Sequence, residues 1–249
     1  IFKPTVLCVW GQQSKLHAEL YHNIDESSIE IVGAPHYDNI DTNVINRNSK
    51  EKTVLFAGLS RPTNEMIILQ NIDSSIQKGL LPKIKVIYRP HPYRMPRKNE
   101  PNFTSISWVN IEMDQSLKNI YDENYINKKE GQIMFDMDYL FNLYKTIDVI
   151  ISPLSTIVLE SIIQGIPIVA YAGKDRHNKW GADQMKNLEH FKEMIENKKL
   201  ISWCDSLDDI VPSLKESLQH SNDLDFKQDL KNFSTFFVEK NNIKYGDKI

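Results

Sequence analysis

Arg89-Pro90-His91-Pro92 sets a guanidinium and an imidazole on one corner stiffened by two prolines. Both groups suit an anion such as phosphate, where a charge-assisted hydrogen bond contributes about 1.5–3 kcal/mol. The alternative is a turn in which His91 satisfies a backbone carbonyl. Ser152-Pro153-Leu154-Ser155-Thr156 has the residue types that open and cap a helix. A helix start so composed also offers backbone N–H groups to phosphate. Four residues on, Glu160 is a lone carboxylate in the apolar run Ile157 to Ile163. Burying it is expensive unless it is paired or reaches a ligand, so it either binds ribose hydroxyls or forms an ion pair with Arg61 or Arg89.

The elements that deliver these side chains follow from the pattern around them. Val149 to Ile151 and Ile166 to Tyr171 read as parallel strands joined by the apolar helix, which Gly165 and Pro167 stop. Ile84 to Tyr88 is a buried strand ending at Arg89. Thr53 to Ala57 is another, closed by a loop carrying Gly58, Arg61 and Thr63, with Thr63 expected to cap a helix bearing Met66, Ile67, Leu69, Ile72 and Ile76 up to Gly79. Strand ends at 57, 89 and 152 then share the carboxyl edge of one sheet, where open α/β folds bind ligands. Ile106 to Val109 is an expected strand, and 110–132 an expected polar insertion. A helix through Met137, Leu140, Leu143 and Tyr144 leads into the Val149 strand. Helices near 183–197 and 206–218, a strand at 200–203, and an amphipathic segment with Phe226, Leu230, Phe233, Phe236 and Phe237 complete the pattern. The alternation predicts an α/β, Rossmann-like doubly wound parallel sheet.

Ahead of it, Thr5 to Val9, a helix with Leu16 and Leu20 on one face, and Ile29 to Val32 form a β-α-β unit. That unit either joins the main sheet or ends a preceding domain. The expected organisation is an N-terminal piece over 1–40, a polar linker over 41–52, a nucleotide-binding domain over 53–222, and a helix and tail over 223–249. The chain begins at Ile1, which suggests that an N-terminal portion precedes it.

Composition narrows the function classes. Thirty basic and 33 acidic residues give a net charge of −3, which argues against a broad nucleic-acid surface. Hydrophobic residues make up 41% without a run long enough to span a bilayer, so the expected setting is the cytoplasm or the inner face of the membrane. Cys8 and Cys204 lack the spacing of a disulfide framework or zinc site. His17, His22, His36, His177, His190 and His220 show no metal-ligand spacing and read as surface or core residues. No GxSxG, Walker or GxGxxG pattern is present. Gly11, Gln13 and Ser14 follow the first strand and are candidates for an acceptor-side contact.

Leu159-Glu160-Ser161 followed by Gly165-Ile166-Pro167-Ile168-Val169 resembles the signature of the C-terminal, nucleotide-binding domain of GT-B glycosyltransferases. The resemblance implies that Glu160 binds the donor ribose. His91-Pro92 and Ser155-Thr156 resemble the HP and Ser-Ser/Thr motifs of bacterial GT-B sialyltransferases and related capsule enzymes, implying a hold on the CMP part of a donor. Trp10-Gly11 through Gly33-Ala34-Pro35 and Asp38 is similar to the end of the N-terminal domain in surface-carbohydrate proteins and CDP-glycerol glycerophosphotransferases. The first Glu of the retaining Glu-x7-Glu pair would fall at Ser152, a departure from that pattern.

The implied activity is transfer from a CMP-, CDP- or UDP-linked sugar to an oligosaccharide or lipid-linked acceptor in bacterial surface polysaccharide synthesis, with no cofactor or metal. Gly58, Arg61, Arg89, His91, Ser152, Ser155, Thr156 and Glu160 would bind the nucleotide, His91 stabilising the leaving phosphate. Alternatives of the same architecture are a polyol-phosphate transferase using CDP-glycerol, a UDP-sugar 2-epimerase, and a nucleotide-binding module without turnover.

Overall fold

A computed structural model describes residues 3–38, 40, 49–59, 64–91, 101–119, 121, 136–173 and 182–240. Its centre is a six-stranded parallel sheet of β3 (Lys52–Ala57), β4 (Ile84–Arg89), β5 (Ile111–Met113), β6 (Val149–Pro153), β7 (Ile168–Tyr171) and β8 (Ile201–Cys204). The strand order is β5-β4-β3-β6-β7-β8, so the chain works outward in one direction from β3 and then restarts at β6 on its other side. That reversal makes the carboxyl ends of β3 and β6 the switch point, where adjacent connections leave toward opposite faces and open a crevice.

Both faces of the sheet are covered, which is why its strands are apolar throughout rather than alternating. Val54, Phe56, Val149, Ile151 and Val169 point to the face packed by α2 (Glu65–Gln77) and α6 (Ile210–His220). Leu55, Ile150, Ile168 and Ala170 point to the face packed by α3 (Met137–Tyr144), α4 (Thr156–Ile163) and α7 (Leu224–Ser234). A short helix, α5 (Lys192–Glu196), precedes β8. The doubly wound arrangement expected from the sequence is therefore the one present.

Several boundaries differ from expectation for identifiable reasons. Ile106 to Val109 is not a strand. Phe103 and Trp108 stack with ring centroids 5.0 Å apart, and the segment packs on the core instead of pairing. The edge strand is Ile111–Met113, inside the span expected to be an insertion, and its register sets Val86 beside Ile111. Helix α2 is capped by Asn64, whose side chain accepts from the Ile67 N–H at 3.2 Å; Thr63 lies outside the described residues. Ile67 is 47% exposed rather than part of the buried face. The expected helix over 183–197 is mostly 3-10 turns, Ala182–Asn187 and Glu189–Phe191, with α-helix confined to α5.

The N-terminal unit is β1 (Leu7–Val9), α1 (Gln12–His22) and β2 (Ile29–Ile31). β1 and β2 pair in parallel as a separate two-stranded sheet with its own small cluster of Val9, Ala18 and Ile29. Leu20 is 72% exposed, so α1 buries Ala18 rather than the Leu16–Leu20 stripe. Two backbone bonds tie this unit to the C-terminal segment. The Gln13 N–H donates to Phe236 O at 2.9 Å, and the Glu239 N–H to Trp10 O at 2.8 Å.

Gly11 sits inside that join, and a Cβ there would lie 2.5 Å from Phe237 O and 2.9 Å from Val238 N. The obstacle is backbone, which cannot rotate away. Gly11→Ala is expected to lower stability by about 1–3 kcal/mol in urea denaturation, as overpacking does; unchanged stability would mean that residues 236–239 do not pack there.

Candidate functional site

A cavity of about 290 Å³ opens at the switch point, lined by His36, Gly58, Arg89, Pro90, His91, Leu140, Ser155, Thr156, Ile157 and Glu160. This is near the lower end of the range for small-ligand sites. It gathers Gly58, Arg89, His91, Ser155, Thr156 and Glu160 from the expected set. Arg61 lies outside the described residues. Ser152 is fully buried, its hydroxyl donating to Pro153 O at 2.8 Å and lying 3.3 Å from the Ser155 hydroxyl. It stands behind Ser155 rather than in the cavity wall.

Ser155 is the N-cap residue of α4, with extended backbone angles of −159° and 177°, but its side chain makes no capping hydrogen bond. Its hydroxyl therefore remains at the cavity with the partial positive charge of the helix start behind it. Arg89, 8% exposed at the end of β4, is held by the Asp114 carboxylate and by Ser116 Oγ at 3.1 Å. Tyr139 Oη donates to the other Asp114 oxygen at 2.7 Å, as do the Ser116 N–H and hydroxyl at 3.0 and 2.9 Å. Burial pushes the Asp114 carboxyl up, but the Tyr139 hydrogen bond and the Arg89 charge outweigh it and leave the group below its ordinary value. The guanidinium is thus anchored, on a residue that lines the cavity.

Gly58 has a specific packing reason to be glycine. Its Cα lies against the Glu65 carboxylate, and a Cβ would fall 2.7 Å from Oε2. Glu65, at the first turn of α2, is fully buried and accepts from the Leu59 N–H at 2.8 Å and Tyr88 Oη at 2.7 Å. The Gly58 N–H donates to Arg89 O at 2.9 Å, so it serves the sheet edge rather than a ligand. Glu65 was not among the sequence candidates. The signal available was a carboxylate opening an apolar helix directly after the strand-end glycine.

Glu160 is 7% exposed on α4, and Tyr144 Oη donates to its Oε2 at 2.5 Å. No second hydrogen bond from the described residues reaches the carboxylate. The ion pair considered with Arg89 does not form, because Arg89 is engaged by Asp114. Burial pushes Glu160 up to about 6, against the Tyr144 hydrogen bond and the more distant Arg89 charge, which pull it down. The neighbouring phenols respond in kind. Burial and then the Glu160 charge raise Tyr37 and Tyr144 above the ordinary tyrosine value.

His36 is the residue that sequence reasoning set aside. The Pro35–Tyr37 turn after β2 brings it into the cavity wall, so the N-terminal unit contributes directly to the site. The acceptor-side candidates are placed otherwise. Gly11 packs on Phe237, and Gln13 Nε2 donates to Glu193 Oε2 at 2.6 Å and His190 O at 3.0 Å. Neither these nor Ser14 lines the cavity. Among the described residues no group of three His, Cys, Asp or Glu side chains is arranged to hold a metal ion.

Because the folded-state value of Glu160 lies above its ordinary 4.5, the folded protein keeps this proton to higher pH. The stability so gained is full below about 4.5 and lost as pH rises through about 6, so the charged form costs the fold about 2 kcal/mol by pH 8. Glu160→Gln is expected to be more stable than the parent at pH 8 by about that amount and to flatten the pH dependence of urea melts. A variant less stable at pH 8 would show the carboxylate to be a structural group.

No family model matches the sequence, and no curated protein matches it. Solved structures do match in fold. The wall teichoic acid polymerase TagF superposes with a TM-score of 0.56 at 14% identity, over 96% of this chain and 55% of TagF. CalG4, the calicheamicin glycosyltransferase, gives 0.52 at 12% identity over 95% of this chain and 49% of that one. A Listeria monocytogenes protein classed with the UDP-N-acetylglucosamine 2-epimerases gives 0.50 at 10% identity over 92% and 54%. The chain spans about half the length of each. What it shares with them is the fold, a six-stranded parallel α/β sheet like the Rossmann-like domains of GT-B glycosyltransferases.

Proposed function

We propose that this chain binds the nucleotide of an activated donor in the switch-point cavity and serves a GT-B-like transferase of bacterial surface polysaccharide synthesis. The donor is a CMP-, CDP- or UDP-linked sugar, and the acceptor an oligosaccharide or lipid-linked saccharide. The observation that carries this reading is Glu160: a buried carboxylate, hydrogen-bonded through one oxygen, facing the same cavity as an uncapped helix start and the Arg89–His91 corner.

The parts divide the ligand between them. Glu160 accepts from ribose hydroxyls, which restores hydrogen bonding to a charge that burial penalises. The α4 start with Ser155 and Thr156, together with His91 and the anchored Arg89, surrounds the phosphate. As the acceptor oxygen attacks and the bond to the donor phosphate breaks, negative charge grows on the leaving oxygen. Preorganised donors and positive charge at that point lower the barrier because they need no rearrangement. Polyol-phosphate transfer is the second reading: TagF, a polymerase with a structure described with CDPG, shares the fold, and the ribose and phosphate contacts would be the same for either donor.

Thermal shift with CMP, CDP, UDP and GDP tests the reading. At 100 times its dissociation constant a bound nucleotide stabilises the fold by about 2.7 kcal/mol, which is visible as a raised Tm. Glu160→Ala and His91→Ala are each expected to weaken binding about tenfold or more. A flat response of the parent chain to all four nucleotides defeats the proposal, and unchanged affinity in both variants removes the site assignment.

A further inference from the structure

Three rings touch in a run from the core to the surface beside the cavity. Tyr37 is 2% exposed, and the His36 ring lies 3.9 Å from it between centroids, tilted by 54°. Trp10 meets His36 edge-on at 5.2 Å and 72°, and is itself 42% exposed. The backbone under both outer rings is fixed. Trp10 O accepts from Glu239, Gly11 is pressed on Phe237, and the Tyr37 N–H donates to Ala34 O at 3.0 Å. His36 alone of the three lines the cavity, and a ring held there against two further rings on a fixed backbone is suited to a planar partner.

The other residues of the cavity bear on what such a partner would be. In a nucleotide the ribose joins base and phosphate, so the base adjoins the ribose contact on the side away from the phosphate. With phosphate at the Arg89–His91 corner and ribose at Glu160, the aromatic ring left in the lining of the same cavity is His36, and its neighbour Tyr37 feels the Glu160 charge. Leu140 and Ile157 add apolar lining. Burial lowers the His36 pKa, with Asp38 opposing, so its ring is neutral at pH 7 and offers a π-face rather than a charge for phosphate.

We propose that His36, backed by Trp10 and Tyr37, is the nucleobase platform of the site and stacks on the base of the nucleotide whose ribose Glu160 holds. The proposal rests on the nucleotide reading given above. It assigns the N-terminal unit a part in nucleotide recognition, separate from any part in acceptor binding.

Isothermal titration with CMP, UMP and ribose 5-phosphate separates base from sugar-phosphate contacts. His36→Ala is expected to weaken CMP and UMP about tenfold while leaving ribose 5-phosphate within about twofold. His36→Phe, which keeps a planar ring, should retain CMP and UMP binding within about threefold of the parent. His91→Ala should weaken all three ligands. Retained ribose 5-phosphate binding by His36→Ala also shows that the variant is folded. The platform is overturned if His36→Ala weakens all three alike, if it weakens none, or if His36→Phe is as poor as His36→Ala. If the parent chain binds none of the three, the nucleotide reading falls with it; parent binding that is indifferent to residue 36 removes the platform alone.

Discussion

The desolvation of the Glu160 carboxylate is the constraint around which the site is built. An acid at 7% exposure can stay charged at neutral pH only where its surroundings have been arranged to hold it. Tyr144 on α3 supplies a short hydrogen bond, which holds α3 against α4. The turn carrying His36 and Tyr37 closes over the same carboxylate, which obliges the N-terminal unit to sit against the sheet's carboxyl edge. A buried group whose charged form opposes folding is a common mark of a functional position, because selection for stability alone would have removed it.

The other buried acids are used differently. Asp148 accepts from the Thr53 N–H at 2.8 Å and pairs with Lys52 at 3.3 Å, holding β3 beside β6 at their starts. Asp73 accepts from the Asn110 N–H at 2.8 Å and its side-chain amide at 3.0 Å, fixing the entry to β5. Glu65 and Asp114 fasten the strand ends at Gly58 and Arg89. Each of these four has two or more partners and fixes backbone or a cation. Removing one partner from such a network leaves a buried polar group unsatisfied, so they act as scaffolding for the cavity and not as contacts within it.

Much of this was legible in the residues. The strand-helix alternation is written in short apolar runs broken by Gly and Pro, and Glu160 announced itself as the one charge in an apolar helix. What could not be read was anything that depends on which distant segments meet. His36 follows a proline in a loop of ordinary composition, and only the fold brings it to Glu160. Arg89 and Asp114 are 25 residues apart, so their pairing was invisible. Ile106 to Val109 looked more like a strand than Ile111–Met113, because apolar content does not tell a run that stacks its aromatics on a core from one that pairs. Gly11 reads in the sequence as an acceptor-side candidate, and the close approach of Phe237, distant along the chain, could not be seen there.

That approach closes the polypeptide into a ring: residues 236–239 return to grip Trp10 and Gln13 through main-chain atoms. The hydrogen bonds of the clasp are main-chain ones and ask for no particular side chain, but the segment that makes them is seated by Phe237 and Val238, both buried in the core. The clasp therefore needs a glycine at 11 and apolar side chains at 237 and 238 together, so positions more than two hundred residues apart constrain one another's substitution.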